Sequence, residues 1–176
     1  HSETSDLIRK LKPLSEDSVQ QIHIPLHGTH APSPEKKSFD LTAKLKEFFG
    51  FKEDNTRDPA VILLLGDAGS GKSMFAQQLY QESCRNFKFG DPIPVWISLP
   101  ELDSPFERAV EEVLENSGLS ESQIDHLMST ERFLFIVDGY DELHNFQNCY
   151  ESNHWSRWKA KVLITCRTQA LYYQRD

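Results

Sequence analysis

The chain has no apolar run near the roughly 20 residues that a membrane-spanning helix needs, and no signal-like hydrophobic region near its start. Neither a membrane span nor a secretory leader is expected of these 176 residues. Clustered Lys and Arg are missing as well. At a net charge of −8 and a pI near 5.4, no basic stripe is available to neutralise a phosphate backbone, which excludes a nucleic-acid-binding surface. Cysteine is scarce. Cys84, Cys149 and Cys166 are odd in number and lack metal-ligand spacing, so they read as small, reduced thiols of a cytoplasmic protein. No internal repeat or low-complexity tract occurs. The chain opens on His1 and not on Met, which reads as a fragment of a longer protein.

What is present suits one globular domain, at 38% hydrophobic and 26% charged residues. At this length roughly 70% of the unfolded surface can be buried, enough for a real core. The most informative stretch is Ala60 to Ser73, A-V-I-L-L-L-G-D-A-G-S-G-K-S, an apolar strand that turns through glycines into a helix start. Gly66, Gly69 and Gly71 permit positive-φ turns and close approach, so that consecutive backbone N–H groups face one anion. Lys72 can then reach the outer phosphates and the Ser73 hydroxyl can ligate the accompanying Mg2+. The following helix, with Met74, Phe75, Leu79 and Tyr80 at helical spacing, adds the positive end of its dipole. Gly66, Asp67, Ala68, Gly69, Ser70, Gly71, Lys72 and Ser73 are thus the expected phosphate cradle. A dinucleotide fingerprint is excluded, since no third glycine follows Gly69 and Gly71 at the required spacing.

Taken in order, residues 1–37 form a polar, proline-punctuated lead-in, irregular or partly helical. His23, His27 and His30 lie close in sequence, but Pro25 breaks the helix that would align them and no Cys or carboxylate completes a metal set. Residues 38–176 are expected to form the nucleotide-binding domain. Ser38 to Phe49 reads as a helix with an apolar stripe of Leu41, Leu45, Phe48 and Phe49, capped by Ser38 or Asp40. Ile93 to Leu99 reads as a strand, and Pro94 within it places that strand at a sheet edge. Ser104 to Glu107 predicts a capping box opening a helix that stops at Gly118, and Ser120 to Gln123 predicts a second. Arg132 to Asp138 and Lys161 to Cys166 read as buried strands. Alternating strands and helices imply an α/β fold with a parallel sheet and the ligand site at the strands' carboxyl ends. The stretch Asn145 to Lys159, with Trp155 and Trp158, fits either a partner surface or a helix covering the sheet.

A carboxylate at the tip of a buried apolar strand needs a cation or a donor. Asp138 is therefore expected to partner the Mg2+ held by Ser73. Asp141 and Glu142 follow it, and one of the two can orient or deprotonate the water that attacks a γ-phosphate. Arg167, ending the last strand, can sense or stabilise the terminal phosphate.

The segments G-D-A-G-S-G-K-S at Gly66 to Ser73, F-L-F-I-V-D-G-Y-D-E-L at Phe133 to Leu143 and V-L-I-T-C-R at Val162 to Arg167 together resemble the NACHT domain. That family belongs to the STAND class of P-loop ATPases, which includes the nucleotide-binding leucine-rich-repeat receptors of innate immunity and bacterial relatives. The resemblance implies a three-layer P-loop NTPase of the ASCE type, with the Arg167 strand between the phosphate-loop strand and the Asp138 strand. It implies ATP/ADP rather than GTP, Ser73 and Asp138 on Mg2+, Asp141 and Glu142 near the attacking water and Arg167 as sensor. It further implies a closed ADP form that ATP opens, allowing contact with other protomers or signalling proteins. GTP is disfavoured independently by the absence of an N-K-x-D-like tetrapeptide. The family's fifth strand, helical lid and winged helix would follow Asp176, so the chain reads as the amino-terminal part of such a switch. An outer edge of the phosphate-loop strand left open would be a liability, and Val19 to Leu26 or the Ser38 helix is expected to cover it.

The function expected is an ATP/ADP-binding switch module with slow Mg2+-dependent hydrolysis. The alternatives are a P-loop kinase, in which Asp138 or Asp141 would activate an acceptor hydroxyl, and a nucleotide-independent scaffold.

Overall fold

A computed structural model describes residues 27–28, 39–49, 60–143 and 147–172. These fall into two compact units, one holding residues 27–28 and 39–49 and the other residues 60–172.

In the smaller unit, β1 (His27–Gly28) pairs antiparallel with β2 (Phe39–Asp40), and α1 (Leu41–Phe49) follows directly. Its amino end is held by Asp40, whose Oδ1 accepts from the Ala43 N–H at 3.1 Å. Of the expected stripe, Leu45 and Phe48 are buried. Val19 to Leu26, the other segment expected to cover the sheet edge, lies outside the described residues, as do His23 and His30.

The larger unit is built on β3 (Val61–Gly66), β4 (Ile93–Ser98), β5 (Phe133–Asp138) and β6 (Ala160–Arg167). All pair in parallel in the order β3-β6-β5-β4. The Arg167 strand does sit between the phosphate-loop strand and the Asp138 strand. Pro94 does lie on an edge strand, where its missing N–H costs no ladder bond. Strands covered on both faces carry apolar residues at successive positions. Accordingly β5, F-L-F-I-V-D, is buried from Phe133 to Val137.

Alternation along the strands sorts these side chains into two layers. Ile93, Val95 and Ile97, Phe133, Phe135 and Val137, and Val162, Ile164 and Cys166 share a core with α3 (Ala109–Asn116) and α4 (Glu121–Thr130). On the opposite face lies α2 (Lys72–Asn86), burying Phe75, Ala76, Leu79 and Tyr80, with the Tyr80 ring 5.9 Å from that of Trp96. Helices on both faces of a parallel sheet make the three-layer α/β fold.

The segment after β5 contributes its two tryptophans to the core. Behind α5 (Cys149–Ser152), Trp155 and Trp158 are buried, with Trp158 edge-on to Phe133 and Phe135 at 5.1 and 5.6 Å.

One expected helix start is corrected. Ser104 to Glu107 forms a turn, and α3 begins only at Ala109 without a cap from its own N-cap residue. Two distant carboxamide and carboxylate groups take over. Glu112 accepts from the Asp103 and Ser104 amides at 2.8 and 3.0 Å, and buried Asn153 accepts from the Ala109 amide at 2.8 Å. The Ser120–Gln123 capping box forms as expected, with Ser120 Oγ accepting from the Gln123 amide and Gln123 Oε1 from the Ser120 amide. No described helix is long and apolar enough to cross a membrane.

Candidate functional site

Parallel register brings the chemistry-bearing residues to one edge of the sheet. Gly66 on β3 is opposite Arg167 on β6, and Asp138 on β5 is opposite Ser98 on β4. The loops leaving these strands therefore share the carboxyl end, where an open α/β sheet offers its ligand crevice.

The loop from Gly66 to Gly71 is shaped by its glycines for two different reasons. Gly69 and Gly71 adopt φ of 74° and 87°, a left-handed backbone costly for other residues. Gly66 has ordinary φ but no room, since a Cβ there would come within 2.8 Å of Ser70 Oγ. Lys72 folds back over the loop. Its Nζ donates to Gly66 O at 2.7 Å, Asp67 O at 2.8 Å and Ser70 Oγ at 3.3 Å. The result is a ring of backbone closed around an ammonium at the amino end of α2, whose leading amides lack carbonyl partners within the helix. Ser73, in the first turn of α2, is exposed. This donor set fits a nucleotide's phosphates: amides, one ammonium and a helix end, with no carboxylate among the residues from Ala68 to Ser73.

The acidic loop is held just as closely. Asp138 Oδ1 accepts a hydrogen bond from Thr165 Oγ1, and Thr165 in turn accepts from the Gly139 amide at 3.4 Å. Gly139 takes φ of 81°, and any Cβ on it would lie 2.7 Å from the Pro100 ring. The small residue after the strand's last acid is thus required both by φ and by the proline beside it. Beyond it, Tyr140–Glu142 forms a 3-10 turn that holds Asp141 against β6 and leaves Glu142 exposed. Asp141 Oδ1 accepts from the Arg167 amide and Oδ2 forms an ion pair with the Arg167 guanidinium at Nε, both at 2.9 Å.

Of the residues singled out in the sequence, then, the fold ties Arg167 to Asp141 and closes Lys72 onto Gly66, Asp67 and Ser70. It does not join Ser73 to Asp138 by a hydrogen bond. Thr165 was missed by motif reading, although a hydroxyl inside an otherwise apolar buried strand demands a partner. That partner is the strand-end carboxylate itself.

The NACHT domain family model matches residues 60–174. The chain belongs to the NACHT family. A curated relative, the mouse (Mus musculus) NACHT, LRR and PYD domains-containing protein 12, is 30% identical over 106 residues. The match covers 57% of this chain and 10% of the relative, so the chain spans about a tenth of that protein's length. No solved structure matches. The NACHT domain is a nucleotide-binding module of the STAND type.

Cys84, Cys149 and Cys166 are buried and form no disulfide. Burial pushes Cys166 up to about 11, with the Asp141 charge adding to the rise and Lys72 opposing it. Burial raises Cys149 to about 12. Both folded values lie above the ordinary thiol value of 9.0, so the fold favours the protonated form. Below pH 9.0 folded and unfolded chains both keep these protons, and the full stability is present. Above it the unfolded chain ionises first, and stability declines as the pH rises towards the folded values. Urea midpoints should hold steady from neutral pH to pH 9.0 and fall beyond it; a midpoint unchanged at pH 11 would count against this account.

Proposed function

We propose that this NACHT module binds ADP and ATP as a switch, and that in the protein to which it belongs it hydrolyses ATP slowly with Mg2+. The observation that carries this reading is the Lys72 ammonium held by Gly66 O, Asp67 O and Ser70 Oγ at the start of α2. The ring keeps a positive charge stationed at the helix start, and the ammonium, whose three donors are all engaged, would exchange these acceptors for phosphate oxygens when the anion arrives. Gly66 to Ser73 would hold the phosphates. Ser73 and Asp138 would hold Mg2+, which supplies charge neutralisation between the outer phosphates. One of the Asp141 and Glu142 carboxylates would act on the attacking water, and Arg167 would meet the terminal phosphate. Domains beyond this module, of the kind named in the mouse relative, would link it to other protomers or signalling partners. Three buried cysteines without a disulfide suit a reducing, cytoplasmic setting.

Isothermal titration of ADP and of ATP, with and without Mg2+, tests the reading directly. Saturable binding strengthened by Mg2+ is expected, and titrations without heat or saturation for either nucleotide would sink it.

A second measurement addresses Asp138. Thr165→Val keeps the side-chain shape but removes the donor that orients this carboxylate. The Mg2+ concentration needed for half-maximal strengthening of ADP binding should rise about tenfold, as for other partners of metal-holding groups. An unchanged Mg2+ dependence would show that Thr165 serves packing alone.

A further inference from the structure

We propose that Asp141 is a positioning residue that aims Arg167, and that of the adjacent acids Glu142 alone acts on the water. The proposal rests on the nucleotide reading above and divides two carboxylates that the sequence leaves equivalent.

Asp141 spends both oxygens on one neighbour. Oδ1 takes the backbone N–H of Arg167 and Oδ2 forms an ion pair with its guanidinium at Nε, each at 2.9 Å, while the Asp141 side chain is only 8% exposed. A general base must have an oxygen facing a water that it can reach. This carboxylate faces an arginine. Glu142, the next residue, is exposed, and its carboxyl carbon lies 3.9 Å from where a Cβ on Gly139 would stand. Its carboxyl therefore folds back over Gly139, the one position in the loop that has no side chain.

The benefit to Arg167 follows from its own exposure. Its side chain is 50% exposed, and a half-exposed arginine normally samples many rotamers. Holding the backbone amide and the Nε end of the guanidinium of the same residue with one carboxylate fixes the stem. Arg167 is opposite Gly66 in the ladder, so the arginine leaves its strand at the same sheet end as the first glycine of the proposed phosphate loop. Asp141 is fixed in turn, because the Pro100 ring packs on Gly139 at the start of its turn.

In this division the water oxygen bonds to the γ-phosphorus as its proton passes to Glu142. The bond from that phosphorus to the β–γ bridging oxygen breaks, and ADP leaves with that electron pair, giving inorganic phosphate. Asp141 takes no proton at any point.

The test measures ADP and a non-hydrolysable ATP analogue by titration with Mg2+, in the unaltered chain and in Asp141→Asn, Arg167→Gln, Glu142→Gln and the Asp141→Asn/Arg167→Gln double variant. The ratio of triphosphate to diphosphate affinity should fall on the order of tenfold in Asp141→Asn and equally in Arg167→Gln, with ADP affinity kept. The double variant should fall no further, and Glu142→Gln should keep the ratio while single-turnover hydrolysis is lost. A ratio preserved in Asp141→Asn, or losses that multiply in the double variant, would overturn the proposal. Should Asp141→Asn not fold, Arg167→Lys decides instead: it keeps the charge without the Nε donor, and an unchanged ratio there is equally fatal. Failure of ADP to bind the unaltered chain would overturn the nucleotide reading itself, a result distinct from either of these.

Discussion

Lys72→Ala should weaken binding of both ADP and ATP by on the order of a hundredfold, the scale of losing one or two charge-assisted hydrogen bonds. Two effects act together. The substitution removes the cation that meets the outer phosphates, and it removes the donor that holds Gly66 O, Asp67 O and Ser70 Oγ around one centre. The carbonyls of Gly66 and Asp67 would then face the anion's site without a compensating charge. Lys72→Arg separates the two contributions, since a planar fork keeps the charge but cannot replace a compact ammonium inside the ring. Binding should suffer nearly as much in Lys72→Arg, while folding stability should be almost unaffected in both variants because the loop is largely exposed. Titration isotherms for either variant lying within twofold of the unaltered chain would mean that this loop is not the phosphate site, and the scaffold alternative would return.

Asn153→Ala should destabilise the fold by about 3 kcal/mol, a large share of the roughly 5–15 kcal/mol available to a domain of this size. Asn153 is 2% exposed, and its amide makes bonds in two directions. Oδ1 caps α3 through the Ala109 N–H at 2.8 Å, while Nδ2 donates to Pro105 O at 2.9 Å and to Cys149 O at 3.0 Å. Alanine would leave one buried N–H and two carbonyls without this partner, and an unmet buried group costs more than a made hydrogen bond gains. Asn153→Asp is the sharper probe. It keeps the acceptor for Ala109 but turns a carboxylate oxygen towards two carbonyl oxygens, so the loss should be at least as large at neutral pH and smaller in acid. Urea unfolding at constant slope provides the measurement. A midpoint shift worth under about 1 kcal/mol for Asn153→Ala would show that the α3 start does not depend on this side chain.

These variants touch parts of the molecule that differ in how far they could be read from the chain. The shape of the loop from Gly66 to Ser73 was legible, because Gly66, Gly69, Gly71 and Lys72 act on one another across a few bonds and the loop is local. β5 and β6 were legible because doubly covered parallel strands carry unbroken apolar runs, and even the edge position of β4 was written in Pro94. The Ser120–Gln123 box formed for the same reason, its two partners being one helical turn apart.

The Ser104–Glu107 box carried the same residue signal and did not form. Local preference lost there to Glu112 and to Asn153, the latter 44 residues from the amide it caps. Trp155 and Trp158 were ambiguous for a related reason. Nothing in the spacing of two tryptophans states whether Phe133 and Phe135 lie beneath them or a partner protein does.

By itself, then, the sequence determined the class of fold, the glycine-shaped turn from β3 into α2 and the family. It also narrowed the acidic chemistry to Asp138, Asp141, Glu142 and Arg167. Tertiary structure alone decided how those groups divide. Thr165 meets Asp138 across 27 residues and Arg167 meets Asp141 across 26, and both pairings exist because β5 and β6 lie side by side in one particular register. A slip of one residue would turn every side chain of β6 to the other face, sending Thr165 and Arg167 away from the site and Cys166 into it. Register is a property of two strands together, set by what each buries against the helices, and no single stretch of chain contains it.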